Sequence, residues 1–244
     1  MKRPYSDLHL RPDLRDFEHT ASMLRKAANL GYRLIAVTLP PSRYDETSRR
    51  IRETCDQAGI DFATRVDLRP NTPNELLHNL RKLRRSFEIV SVLCHSKNVS
   101  RQAAKDRRVD LLNFPLIDFH QRFFDIAEAE LASNSLAALE IDLEPVLTSN
   151  PQTRIRLLSS LRRETSIAEN SRVPIVVSGG ASRERFMRRP VEMAITASLF
   201  GLEKHVALDA VSKNPSTIVK RNREKLSPRF IAPGIRVLRR GKDC

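Results

Sequence analysis

The feature that most constrains this chain is a strict alternation. Eight short apolar runs are separated by longer polar segments with helical spacing: YSDLHL (5–10), RLIAVTL (33–39), IDFATRVDL (60–68), EIVSVLCH (88–95), DLLNFP (110–115), AALEIDL (137–143), PIVVSG (174–179) and HVALDAV (205–211). Strand alternating with helix is the pattern of parallel α/β architecture, because a parallel neighbour can be reached only through a crossover. Runs such as LIAVTL and IVSVLC are apolar on both faces, as strands covered on both sides must be. Eight such units in about 225 residues match a single (β/α)8 TIM-like barrel. The count favours a barrel over an open doubly wound sheet.

Local signals place the helices. Thr72-Pro73-Asn74-Glu75 reads as an N-cap, a proline at the first helical position and a capping-box glutamate. Asn150-Pro151 and Asn214-Pro215 repeat the cap-then-proline pattern. Ile51, Cys55 and Ala58 share one helical face, and Gly59 can end that helix in a left-handed conformation. Pro190, after Arg188-Arg189, should break the seventh helical segment and start a second piece reaching about Phe200. The barrel domain is assigned to 1–226. Residues 227–244 read as a basic tail in which 235–238 adds an edge strand.

With 40% apolar residues the chain is globular. No segment approaches the roughly 18 apolar residues that span a bilayer, so no membrane partner is expected. The opening MKRPYSDLHL has no apolar core of a secretory signal. Cys55, Cys94 and Cys244 are scattered and fit no zinc spacing, which suits a reducing, cytoplasmic compartment.

Charge narrows the partner. The chain holds 43 Lys plus Arg against 29 Asp plus Glu, a formal net charge of +14, and 33 of the basic residues are arginine. A guanidinium fork matches phosphate oxygens two at a time, so the excess points to a polyanion. An arginine-rich genome with solvated ion pairs is the plainer explanation of the same numbers. In SKNVSRQAAKDRRVD (96–110), Lys97, Arg101 and Lys105 step by four, which a helix would align, and Arg107 and Arg108 follow. RERFMRR (183–189) adds Arg183, Arg188 and Arg189. These eight residues are the candidate RNA contacts. Further basic runs lie at 81–85 and 220–225. With only 5% aromatic residues, such runs suit tracking a phosphate backbone better than stacking on bases. Structured RNA, read by shape, is the implied ligand.

Barrel active sites sit at the carboxyl ends of the strands. There the alternation places His9, Arg11, Arg65, Asp67, Arg69, His95, Asn113, Glu140, Asp142, Glu144, Asp209 and the Ser178-Gly179-Gly180 turn. His9, Arg11, Arg65, His95 and Asp142 are taken as a polar cluster at the rim. Of six histidines only His9 and His95 are well placed for a metal. Arg11 stands where Asp-Leu-His-x-His would supply a second histidine, and a permanent cation repels a metal. No metal ligand and no catalytic residue is assigned. Glu140, Asp142 and Glu144 at period two could serve as acid and base. Pairing with Arg11, Arg65 or Arg69 is the preferred reading, since buried carboxylates need partners. The Gly pair is either a phosphate cradle or a tight turn.

KDRRVDLLNFP (105–115), the long block at 173–225 beginning VPIVVSGGASRERFMRRP, the opening YSDLHLRPD and the ending PGIRVL together resemble the ribonuclease P protein component 3 family. That is the archaeal counterpart of the thirty-kilodalton human subunit. The resemblance spans nearly the whole chain. It implies a barrel related to the polymerase-and-histidinol-phosphatase (PHP) phosphoesterases, with Asp7-Leu8-His9 as a remnant of their metal motif. It implies a subunit of the endoribonuclease that removes the 5′ leader in tRNA processing, with Mg2+ and the chemistry on the RNA subunit and no cofactor on this chain. The implied partners are ribonuclease P RNA, precursor tRNA, other ribonuclease P proteins, and protein component 2 in a two-plus-two hetero-oligomer. The alternative is a stand-alone PHP-like metal-dependent phosphoesterase or nuclease. A plain protein-assembly factor would show no salt-dependent RNA affinity.

Overall fold

The computed structural model describes residues 3–41, 44–114, 124–232 and 235–236. Seven parallel strands in chain order, each hydrogen-bonded to the next, form one sheet: β1 (Ser6–Leu10), β2 (Leu34–Thr38), β3 (Asp61–Leu68), β4 (Ile89–Leu93), β5 (Leu111–Asn113), β6 (Ala138–Asp142) and β7 (Ile175–Ser178). Around them run α1 (Phe17–Leu30), α2 (Tyr44–Ala58), α3 (Pro73–Leu83), α4 (Lys97–Lys105), α5 (Ile126–Ser135), α6 (Glu144–Thr148), α7 (Pro151–Asn170), α8 (Pro190–Ser198), α9 (Lys204–Ala210) and α10 (Lys213–Leu226). The result is a nearly closed TIM-like barrel.

The expected eighth strand, 205–211, is instead α9. Ala207 and Ala210 turn into the core while Lys204 and His205 face out, a three-residue spacing that suits a helix. Asp209 therefore lies on a helix and pairs with Arg3 at 2.9 Å, away from the mouth. With no eighth barrel strand among the described residues, β1 is tied to the end of α9 and to the turn after β7 through isolated bonds. Ser6 N donates to Val211 O, Arg11 N to Ala181 O, and Gly179 N to Asp7 Oδ1, each at 2.9 Å.

Two core layers follow from period two. Outside the sheet, residues such as Ile35, Val37, Val90, Val92, Leu112, Leu139 and Val177 pack beneath the helices. Inside it, Leu8, Leu34, Ala36, Ala63, Ile89, Leu111, Ala138 and Val176 fill the lower barrel, and Ile218 and Val219 of α10 close its amino-terminal end. Asn222 Nδ2 anchors that helix to Glu88 O at 2.8 Å.

Thr72 and Asn150 cap α3 and α7, accepting from Glu75 N at 3.2 Å and Thr153 N at 2.9 Å. Gly59 ends α2 at φ +69°. Asn214 is not the expected cap. It lies within the first turn of α10, where its amide donates to Ile175 O at 2.8 Å and ties the helix to β7. Ile235–Arg236 pairs with Phe230–Ala232 in a separate antiparallel ribbon (β9 and β8), not with the barrel sheet. Residues 237–244 lie outside the described set. Phe119 and Phe123 also lie outside it, whereas Phe124 is buried edge-on against Phe114. No described helix is long and apolar enough to cross a membrane.

Candidate functional site

On the inner face of six strands an apolar residue is followed two positions later by a polar one: Ala36 then Thr38, Ala63 then Arg65, Ile89 then Ser91, Leu111 then Asn113, Ala138 then Glu140, Val176 then Ser178. The barrel therefore changes from greasy to polar at one level, with β3 and β6 each adding one more acid, Asp67 and Asp142.

Arg65 occupies the centre of that level and is wholly buried. Its Nη1 and Nη2 fork onto both oxygens of Glu140 at 2.6 Å, Nε donates to Asp67 Oδ1 at 2.7 Å, and Nη1 also reaches Leu8 O at 2.8 Å. Glu140 accepts further bonds from Ser178 Oγ at 2.8 Å and Asn113 Nδ2 at 3.0 Å. Above it His9 bridges two acids, Nδ1 to Asp142 Oδ1 at 2.8 Å and Nε2 to Asp67 Oδ2 at 3.1 Å. Burial and the nearby Arg65 disfavour its charge, but Asp142 and Asp67 outweigh both and raise its pKa from 6.5 to about 10. His9 is thus an imidazolium donating from both nitrogens. Burial disfavours ionised Asp67, yet Arg65 and His9 hold it below the usual carboxylate range. Asp7 is shifted upward, burial prevailing over the amide bonds from Gly179 and His9.

His9, Glu140 and Asp142 bring one potential ligand atom each within 4.8 Å of one another. The set does not fit a divalent ion. A ligating imidazole needs a ring nitrogen with a free lone pair, whereas both ring nitrogens of His9 are engaged by acids. Glu140 is already forked by a cation.

The remaining rim residues divide. Arg11 joins the edge of the cluster: Nε donates to Gly180 O at 2.9 Å, and Nη2 lies 3.5 Å from Glu144, whose carboxylate holds Ser182 N and Oγ. Of the preferred arginine–carboxylate pairs, Arg65–Glu140 and Arg11–Glu144 form, while Asp142 takes His9. His95 and Arg69 are exposed, and no described contact draws them into the cluster. The Gly179 amide, a possible phosphate donor, is committed to Asp7. Asp7, Asp67, Asn113, Glu140 and Ser178 complete the cluster. The signal for most of them was the same two-residue step that identified Arg65 and Asp142.

The basic residues lie elsewhere. Lys97, Arg101 and Lys105 do share α4, with Lys97 at the mouth end. Arg101 is engaged bidentately by Asp125 at 2.7 and 2.8 Å, and Arg108 by Asp106 at 2.6 and 2.9 Å. Arg188 donates to the carbonyls of Arg185 and Met187. Lys97, Lys105, Arg107, Arg183 and Arg189 are exposed.

The His9 shift predicts a pH dependence. A group whose folded pKa lies above its unfolded value stabilises fully below the unfolded value, and that stabilisation is lost as pH rises through the folded one. The urea midpoint should fall between about pH 7 and pH 10, and His9→Gln should flatten that slope. Equal slopes in both proteins would remove His9 as the cause.

Fold and mouth together define a TIM-like barrel whose buried cations are each paired with acids and whose exposed cations lie on its outer helices and loops. The family profile described as RNase P subunit p30 matches residues 4–227. Ribonuclease P protein component 3 from Methanosarcina barkeri is 31% identical over 93% of this chain and 92% of its own length. A chain in a cryo-EM structure of archaeal ribonuclease P with mature tRNA superposes with TM-score 0.82 at 18% identity, covering 97% of this chain and 99% of that one. A histidinol phosphate phosphatase from Lactococcus lactis, bound to zinc, L-histidinol and phosphate, shares the fold at TM-score 0.51 and 11% identity, over 90% of this chain and 94% of that one. The chain belongs to the RNase P subunit p30 family.

Proposed function

We propose that this chain is a non-catalytic protein subunit of ribonuclease P that neutralises RNA phosphates and supports the RNA that cleaves precursor tRNA. The observation that carries the reading is the mouth. The place where a barrel hydrolase works is filled by Arg65, with His9 held between two acids, an arrangement that argues against a metal-dependent hydrolase. Metal-assisted phosphodiester hydrolysis places ions at the attacking and leaving oxygens, and in this reading the RNA holds that Mg2+. A cytoplasmic site of action, protein component 2 as partner and a two-plus-two assembly are part of the same proposal. Kinship with chains named component 3 supports it.

The test is to tag the chain in its native cell, purify at moderate salt, and sequence the accompanying RNA while assaying precursor-tRNA cleavage. One abundant structured RNA with cleavage is the expected result. Protein free of RNA but carrying metal would return the stand-alone hydrolase.

For the α4 contacts, Lys97→Ala with Lys105→Ala should reduce the log–log salt slope of RNA binding by about 1.4–1.8, at roughly 0.7–0.9 per lost phosphate contact. Arg101 is left in place because it neighbours the buried Glu128. A slope equal to the wild type would remove α4 from the RNA surface.

A further inference from the structure

The amino-terminal end of the barrel carries a second concentration of charge that the mouth and α4 do not explain. Asp110, buried at the start of β5, is a hub: Oδ2 accepts from Arg84 Nη1 and Val90 N, and Oδ1 from Arg221 Nη2, all at 2.9 Å. One buried carboxylate thus draws together arginines from the end of α3 and the middle of α10. Lys225 lies one helical turn beyond Arg221, so the two share a face. Arg107, in the loop entering β5, lies close enough for its charge, with those of Arg84 and Arg221, to act on Lys225. Partial burial first and Arg221 next lower the Lys225 pKa, Asp110 opposes them, and Arg84 and Arg107 add smaller downward contributions. Of the nearby acids, Asp106 holds Arg108, and Glu224 lines a groove with Arg33 and Asp61.

Four cations around one buried anion leave a net charge of about +3 on a small area, with Arg107 and Lys225 exposed. Unrelieved like charge destabilises the free protein and is relieved by a polyanion. The cluster is also continuous with α4. From Lys97 to Lys105 that helix rises about 12 Å along the barrel wall, at 1.5 Å per residue, and Arg107 follows directly below. We infer that Arg84, Arg107, Arg221 and Lys225 form a second RNA-phosphate contact under the barrel, joined to the α4 face so that one RNA strand bends around the edge between them. Asp110 acts as the positioning residue, fixing the two arginines before RNA arrives and reducing the ordering cost of binding. This inference rests on the RNA-binding reading above.

The test uses the full chain and ribonuclease P RNA from the same cell. Arg107→Ala with Lys225→Ala leaves both Asp110 pairs intact and so should fold. The salt slope of binding is expected to fall by about 1.4–1.8, with a denaturant midpoint no lower than that of the wild type. A wild-type slope in this variant, alongside a reduced slope in the Lys97 and Lys105 variant, would overturn the underside contact and leave the RNA reading intact. Wild-type protein with no salt-dependent affinity would overturn both. As a further check, charge reversal with Lys225→Glu should weaken binding more than Lys225→Ala. Equal binding by the two would also count against the contact.

Discussion

Glu140→Gln is expected to lower the unfolding free energy by about 3–5 kcal/mol, the usual cost of removing one partner from a buried ion pair. The size follows from what is left behind. Arg65 stays fully buried with half of its anionic partnership gone, and Ser178 and Asn113 lose a charged acceptor. The change should appear as a lower denaturant midpoint with an unchanged m-value. Arg65→Met combined with Glu140→Leu should be less damaging than either single change, because neither Arg65 nor Glu140 is then left without its partner, and Asp67 keeps His9. A loss below about 1 kcal/mol in Glu140→Gln would mean that the pair does not hold the mouth together.

The second large effect is expected at Gly180. Its φ of +61° is left-handed, and a Cβ there would lie 2.9 Å from Asp142 Cβ and Cγ. A left-handed backbone costs an L residue about 1–2 kcal/mol, and overpacking adds about 1–3 kcal/mol. Asp142 cannot retreat without releasing His9. Gly180→Ala should therefore destabilise the protein, measurable by urea titration, and bring the alkaline loss of stability to lower pH by weakening the His9–Asp142 bond. An unchanged midpoint would show that the turn relaxes at no cost.

Much of this architecture was legible in the chain. Seven of eight apolar runs are strands, and the helix starts at Thr72 and Asn150 carry their caps. HVALDAV misled because its apolar residues satisfy a strand and a helix alike, and only contact with β7 and α8 decides between them. Asn214-Pro215 misled for a similar reason. The asparagine had a better partner in the Ile175 carbonyl than in its own helix start. At the mouth, Arg65 and Asp142 followed from strand period. That the acids of the β6 end pair with rim arginines was also expected, but which acid meets which cation was not, because it depends on how strands β1, β3 and β6 stagger around the barrel, information that no local stretch carries. His95 seemed equivalent to His9 by position. One turns inward and the other lies beyond the end of β4, exposed.

The way β1 meets β7 has a mechanical consequence. Six of the seven gaps around the barrel are closed by strand pairing, and the seventh is bridged by a few separate bonds from Ser6 and Arg11 and to Asp7. Local opening begins where the fewest bonds must break together. Amide hydrogens at Ser6, Arg11 and Gly179 should then exchange with solvent earlier than those of β3 and β4. When this barrel comes apart, it opens as a split ring along one line, with the ion-paired Arg65 on the wall that holds longest.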